Sequence, residues 1–279
     1  MVCVVIPVHN RKSFTRDCIE SLYSQTLQAD KIIVVDDGST DGTREMLCKQ
    51  FPQVRVVIGD GNLFWTASIN KGIRLALELG ADHILTMNND TVASISFLEK
   101  MMEGAKLKPH ALIGALDVDA SNNRPYYGGE IINWKWSRST YLLSVIPPEA
   151  QSGLYPVSLF PGRGLLIPRK VFTTIGLFEE KKLPHYMADY DFTHRARKYG
   201  FSIYCNYDAV LYTYPQEGGD HKIRERKTLR NYFKHLFDKK GGGNLKNFTV
   251  YTFRNCPLQY IVPSLITGYA RRLGGFWLH

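Results

Sequence analysis

The sequence lacks any paired-cysteine pattern. Its five cysteines (Cys3, Cys18, Cys48, Cys205 and Cys256) are odd in number, scattered and without a CxxC pair. That argues against a structural zinc site or a disulfide framework and fits a reducing compartment. No uninterrupted apolar stretch reaches the roughly 20 residues that a membrane-spanning helix needs. The opening Met1-Val2-Cys3-Val4-Val5-Ile6 has no basic segment before its apolar run, so it reads as a strand and not as a signal peptide. No internal repeat is found.

What remains is the composition of a globular protein. Of 279 residues, 44% are hydrophobic and 22% charged, enough to bury a full core as one large domain or as a domain with an appendage. The net charge of +9 is unevenly placed. From Asp220 onward twelve Lys and Arg face only Asp220, Glu225 and Asp238, so the tail carries the whole excess and the body is neutral. Such a segment favours an anionic partner: lipid head groups, a diphosphate or nucleic acid.

Apolar runs and helical periodicity alternate through about residue 115. Strands are expected at Val2–Pro7, Lys31–Val35, Val54–Ile58 and Ile84–Met87, with helices at Ser13–Gln25, Thr43–Phe51, Thr66–Leu79 and Ser96–Lys106. This spacing predicts right-handed βαβ units and a mostly parallel sheet. The middle is less regular. Val157–Ile167 reads as a strand passing close to a ligand or another backbone, because Gly162 and Gly164 interrupt it. Ala188–Tyr199 reads as a helix closed by Gly200, and Phe201–Tyr214 as one or two strands. After Gly218-Gly219 the chain turns basic and aromatic, with Gly241-Gly242-Gly243 expected to be flexible.

The chemistry-bearing residues sit where strands stop. Strand one ends in Pro7-Val8-His9-Asn10, where Pro7 removes a ladder donor and His9 offers a flat ring for a nucleobase. Strand two ends in Asp36-Asp37, carboxylates able to accept from a base N–H or a ribose hydroxyl. Strand four ends in Asn88-Asn89-Asp90, oxygen ligands suited to a hard cation such as Mg²⁺ that takes its remaining oxygens from phosphates. Each cluster is also ordinary turn chemistry. Three polar clusters at one sheet edge favour a binding crevice over three coincident turns. Far along the chain, Asp189-Tyr190-Asp191 supplies two more carboxylates. Residues this close on a helix point different ways, so one faces the crevice and the other caps the helix.

In order, Val5-Ile6-Pro7-Val8-His9-Asn10, Val34 to Asp41, Asn70-Lys71-Gly72, Asn88-Asn89-Asp90 and Asp189-Tyr190-Asp191…Arg195…Gly200 resemble family 2 glycosyltransferases of the GT-A fold, particularly the rhamnosyltransferase-like branch. The resemblance covers roughly residues 2–215. It implies an α/β GT-A fold with a Rossmann-like, mostly parallel sheet flanked by helices and a basic helical C-terminal appendage. A glycosyltransferase domain is expected at 1–218, split into a nucleotide-binding half (1–115) and an acceptor half (116–218), with the basic extension at 219–279. Pro7, His9, Asn10, Asp36, Asp37, Asn70, Asn88 and Asn89 are the expected donor-binding residues. Asp90 stands in the Asp-x-Asp position as metal ligand for Mg²⁺ or Mn²⁺. Asp189 or Asp191 is the general base, and inversion proceeds by direct displacement.

The sequence departs from the family pattern in three places. Ala188 replaces the glutamate that often precedes the base, and Asp90 is the only carboxylate of its triplet. A histidine common near position 213 is absent, with His221 a candidate substitute. Arg163 either faces a phosphate or lies on the surface. Trp65 is expected in the core, while Trp134 and Trp136 either stack on sugars or pack.

The expected partners are a dTDP- or UDP-linked sugar and a glycan or polyprenyl-linked acceptor of cell-surface polysaccharide, with no nucleic acid. The protein is expected to be cytoplasmic, and its tail either lies on an anionic membrane, peripheral to the inner face, or packs its aromatic face on the body. A sugar nucleotidyltransferase would show a glycine-rich loop after strand one, and Pro7 to Lys12 contains no glycine. A non-catalytic sugar-nucleotide-binding protein would leave Asp90 and Asp189 idle.

Overall fold

The computed structural model describes residues 1–278. The elements run β1 (Val2–Val8), α1 (Lys12–Tyr23), β2 (Lys31–Asp36), α2 (Thr43–Gln50), β3 (Arg55–Ile58), α3 (Phe64–Glu78), β4 (His83–Thr86), β5 (Thr91–Ala93), α4 (Phe97–Leu107) and β6 (Leu112–Asp119). The second half continues with β7 (Arg124–Tyr127), β8 (Glu130–Asn133), β9 (Arg138–Tyr141), β10 (Leu154–Pro156), β11 (Leu165–Pro168), α5 (Arg169–Ile175), α6 (Ala188–Lys198) and β12 (Ile203–Thr213). Four helices close the chain: α7 (Gly219–Arg224), α8 (Leu229–Phe237), α9 (Leu245–Asn255) and α10 (Ile261–Leu278).

The main sheet runs β10-β12-β6-β11-β4-β1-β2-β3. Strands β1, β2, β3 and β4 are mutually parallel, as are β6 and β12, while β11 runs antiparallel between β4 and β6. All seven residues of β1 are buried, because helices cover both faces. Its side chains alternate between two cores. Val2, Val4, Ile6 and Val8 pack with Cys18, Ile19 and Leu22 of α1, Leu47 of α2 and Phe97 of α4. Cys3 and Val5 pack with Ile69 and Ile73 of α3 and Phe172 and Phe192 on the opposite side. Gly72 lets α3 lie on the sheet, for a Cβ there would stand 2.3 Å from Val5 Cγ1.

Parallel register brings the carboxyl ends of β1, β2 and β4 to one edge: Val8 pairs with Asp36, and Val5 with Thr86. Two expectations are corrected. The strand expected over Val157–Ile167 forms only at Leu165–Pro168; the preceding Pro161-Gly162-Arg163-Gly164 is a loop, with Gly164 in the left-handed region at φ 61°. Nor is Gly241-Gly242-Gly243 a free linker. Cβ atoms there would stand 2.3 Å from His235 O, 2.6 Å from Asp220 Cγ and 2.0 Å from His235 Nε2, so the triplet is glycine because it is packed.

Candidate active site

The strand ends open into a cleft of about 470 Å³. One wall holds Pro7, His9, Asp37, Gly61 and Phe64; the floor holds Trp65, Asn88, Asn89 and Asp90; the far wall holds Gly162, Arg163, His185, Tyr186 and Asp189.

Asp37 organises the first wall. Its Oδ1 accepts the Gly61 N–H at 2.8 Å, and its Oδ2 accepts those of Leu63 at 3.0 Å and Phe64 at 3.2 Å. These bonds fix the turn that leads into α3. Nδ1 of exposed His9 donates to the Asp37 carbonyl at 2.6 Å, which makes that nitrogen the protonated one and orients the ring at the cleft mouth.

On the floor, Trp65 Nε1 donates to Asn88 Oδ1 at 2.9 Å, and buried Asn89 donates to Thr15 Oγ1 at 3.0 Å. Asp90 Oδ2 is ion-paired with Arg11, whose second guanidinium nitrogen donates to the Glu217 carbonyl. Trp65 is therefore a half-buried cleft residue, not the pure core residue expected.

Asp189 enters on the first turn of α6. Its carboxylate accepts the Gly162 N–H at 3.1 Å and its own helix's Tyr190 N–H at 2.9 Å. Burial pushes its pKa above the ordinary carboxylate value, against those backbone hydrogen bonds and the charge of Arg163. A carboxylate made more basic while still reaching the cleft suits proton abstraction from a hydroxyl. Arg163 Nε pairs at 2.7 Å with Asp117, a fully buried residue of β6 whose pKa burial lifts to about 6 despite the guanidinium.

Asp191 does not reach the cleft. Two positions on from Asp189, it turns to the opposite face of α6. There it is fully buried between Arg254 Nε at 2.7 Å, Arg195 Nε at 3.1 Å and Asn255 Nδ2 at 2.9 Å. Burial raises its pKa, but the hydrogen bonds from Arg254 and Asn255 and the Arg254 and Arg195 charges outweigh that and hold it below the ordinary value.

Several other expected residues stand outside the cleft lining. Asn10 Oδ1 accepts from Thr40 N, and Asp36 Oδ1 from Ser39 N, both bracing the loop after β2. Asn70 clamps Phe178 through its N–H and carbonyl and donates to Glu180 at 2.6 Å. His221 is exposed on α7, its Nδ1 3.6 Å from Glu225. Trp134 stacks on His194, and Trp136 is exposed.

Sequence reasoning missed Arg11, Phe64, His185 and Lys240. His185 Nδ1 is buried without a partner, and burial together with Lys240 lowers the pKa to about 4, so a neutral imidazole lines the cleft. No spacing rule marks it, because it lies in the loop before α6.

A divalent cation fits these residues in one way only. Among the described residues no three His, Cys, Asp or Glu side chains converge. The Asp90 carboxylate and the buried, unpartnered Thr213 hydroxyl both line the cleft, a pair that leaves most oxygens to come from phosphates.

An open, mostly parallel sheet with this polar cleft at its carboxyl edge defines an α/β transferase of the GT-A type. Residues 3–175 match the description "Glycosyl transferase family 2", and the chain belongs to that family. Enzymes of this family generally use a divalent metal. An uncharacterised glycosyltransferase of Rickettsia typhi is 29% identical over 219 residues, covering 76% of this chain and 63% of the relative. The chain thus spans less than two thirds of that relative's length. The N-acetylglucosaminyl-diphospho-decaprenol L-rhamnosyltransferase of Mycobacterium tuberculosis is 26% identical over 215 residues, covering 70% of each. The S. aureus TarS 1–349 structure in complex with UDP aligns with TM-score 0.59 at 14% identity, covering 99% of this chain and 90% of that one. This likeness shows the fold. No helix among the described residues is long and apolar enough to cross a membrane.

Proposed function

We propose that this glycosyltransferase moves a sugar from a dTDP- or UDP-linked donor to a hydroxyl of a lipid-linked glycan, with inversion, in surface polysaccharide synthesis. The observation that carries the reading is Asp189, held at the cleft by the Gly162 N–H and made more basic by burial. In it, Pro7, His9 and the Asp37 turn receive the base and ribose, Asp90 faces the diphosphate, and Asp189 takes the acceptor proton as its oxygen attacks the anomeric carbon. A divalent cation, when bound, would be held by Asp90 and would supply neutralisation of the charge on the leaving diphosphate. Residues 1–218 form the catalytic unit and 219–279 the extension.

The lipid-linked acceptor is supported by the extension's surface. Leu229, Phe233 and Phe237 recur every fourth residue on α8 and are 68%, 57% and 61% exposed. Leu258, Val262 and Ile266 repeat that pattern into α10 at 86%, 65% and 65%. Arg226, Arg230 and Lys234 are interleaved with the first stripe, as in segments that lie on anionic bilayers. Phe233→Glu with Phe237→Glu should abolish co-sedimentation with phosphatidylglycerol vesicles; retained binding removes the membrane part.

The function is tested by nucleoside diphosphate release from a panel of sugar nucleotides, with Mg²⁺ or Mn²⁺ and with EDTA. Release from one donor, cut about 10²- to 10⁴-fold in Asp189→Asn with donor binding retained, is the expected result. Full activity in that variant refutes the assignment of the base.

A further inference from the structure

The cations around the cleft are not equivalent. Arg11 is neutralised by Asp90 and Arg163 by Asp117. Among the described residues, Lys239 and Lys240 have no carboxylate within ion-pairing distance. Both ammonium groups lie over the ring of Phe64, 4.6 and 5.9 Å from its centroid, and Lys240 lines the cleft beside His185. Phe64 is itself fixed by the Asp37 carboxylate. The two lysines therefore stand at the wall that carries the base-binding turn, with their charge uncompensated.

The loop that presents them is built and not loose. Asp238 opens it by accepting the Lys240 N–H at 2.8 Å, and its carbonyl accepts those of Gly241 at 3.0 Å and Asn244 Nδ2 at 2.9 Å. Asp220 Oδ1 holds the far side, accepting from Gly242 N at 2.8 Å while His235 Nδ1 stands 2.7 Å away. Three successive glycines permit the close approach to α7 and α8, since a Cβ at any of them would overlap Asp220 or His235. A chain that spends three glycines and a buried histidine–carboxylate contact on six residues is positioning what the loop carries.

We infer that the loop Asp238–Gly243 completes the donor site from the C-terminal extension, with Lys240, assisted by Lys239, binding the phosphate oxygens of the nucleoside diphosphate. The inference rests on the nucleotide-sugar reading above. An ammonium provides a mobile point charge, suited to phosphates that are bound with the donor and released with the product. It takes no part in proton transfer: its role is affinity for the diphosphate, and it leaves recognition of the nucleoside to the Asp37 wall.

The test is calorimetric titration of the full chain with UDP, dTDP, uridine and thymidine, for wild type, Lys240→Met, Lys239→Met with Lys240→Met, and Lys240→Arg. Lys240 is exposed, so the variants retain the fold. The expected result is diphosphate binding weakened about ten- to a hundredfold in Lys240→Met, further in the double variant, and largely restored in Lys240→Arg. Nucleoside binding stays as in wild type. Unchanged diphosphate affinity in both Met variants overturns the inference, as does equal weakening of nucleoside and diphosphate. Failure of wild type to bind any of the four refutes the nucleotide-sugar reading itself, a distinct outcome.

Discussion

Arg254 of α9 reaches back to Asp191 of α6, and its removal should be felt there. It gives Asp191 two charge-assisted hydrogen bonds, Nε at 2.7 Å and Nη2 at 3.1 Å, and pairs with Glu179 at 3.2 Å. Breaking a buried ion pair by deleting one partner costs about 3–5 kcal/mol. Arg195 and Asn255 still serve Asp191 in the variant, which places Arg254→Ala at the lower end, about 3 kcal/mol. At roughly 2–4 °C per kcal/mol for chains approaching this size, the melting temperature should fall by about 6–12 °C. The pH dependence has a fixed sign. Asp191 has a folded pKa below its unfolded one, so its stabilisation is fully present above the ordinary carboxylate value of about 3.9 and is lost as pH falls through the folded value. The gap between wild type and Arg254→Ala should therefore be constant from pH 8 to 5 and close only in acid. Differential scanning calorimetry across that range checks both parts. A melting shift under 2 °C at pH 7, or a gap that closes near neutrality, refutes the account of Asp191 as a buried, arginine-held carboxylate.

If Asp189 works as the base, kcat/KM should fall on acidification with an apparent pKa above the ordinary carboxylate range, since its folded pKa is raised by burial and only the ionised form accepts a proton; a profile flat down to pH 4.5 contradicts this. Asp37→Asn replaces one acceptor oxygen by an amino group facing backbone N–H donors, and should cost about 2–3 kcal/mol in urea unfolding and loosen the Gly61–Phe64 turn, visible as faster amide exchange there. Gly72→Ala drives a methyl into Val5 and Val35 and should destabilise by about 1–3 kcal/mol, measured by the same unfolding. Arg11→Gln frees the Asp90 carboxylate from its ion pair, so nucleotide-free Mn²⁺ binding followed by electron paramagnetic resonance should tighten; weaker binding would mean that Arg11 supports the cation and does not compete with it.

The first half of the fold was legible because β1, β2 and β4 are short apolar runs covered on both faces, each ending in a polar cluster at one edge. Pro7, His9, Asp37, Asn88, Asn89, Asp90 and Asp189 do line one cleft. The sequence alone makes Asn10, Asp36 and Asn70 look like ligand residues, because a polar side chain in such a position looks the same whether it meets a ligand or ties down the protein's own loops. Their hydrogen bonds go to the protein's own backbone and to the side chains of Thr40 and Glu180. His185 and Lys240 were invisible for another reason. One lies in an irregular loop and the other more than fifty residues beyond Asp189, and only tertiary packing brings them to Phe64. The glycine triplet shows the limit of composition: the same three letters serve a slack tether or a tight contact, and only the neighbours decide.

The indole of Trp65 hydrogen-bonds Asn88 on one side, and on the other fills the space above Gly162, where a Cβ would stand 2.3 Å from its ring. Gly162 in turn holds Asp189 through its N–H. The two halves of the cleft therefore share a single spacer, and they cannot diverge independently. A lineage that enlarges residue 162 must shrink residue 65 in step, and so gives up the bond that orients Asn88. Under the proposed function, changing the acceptor along this route would reopen the fit to the sugar nucleotide as well.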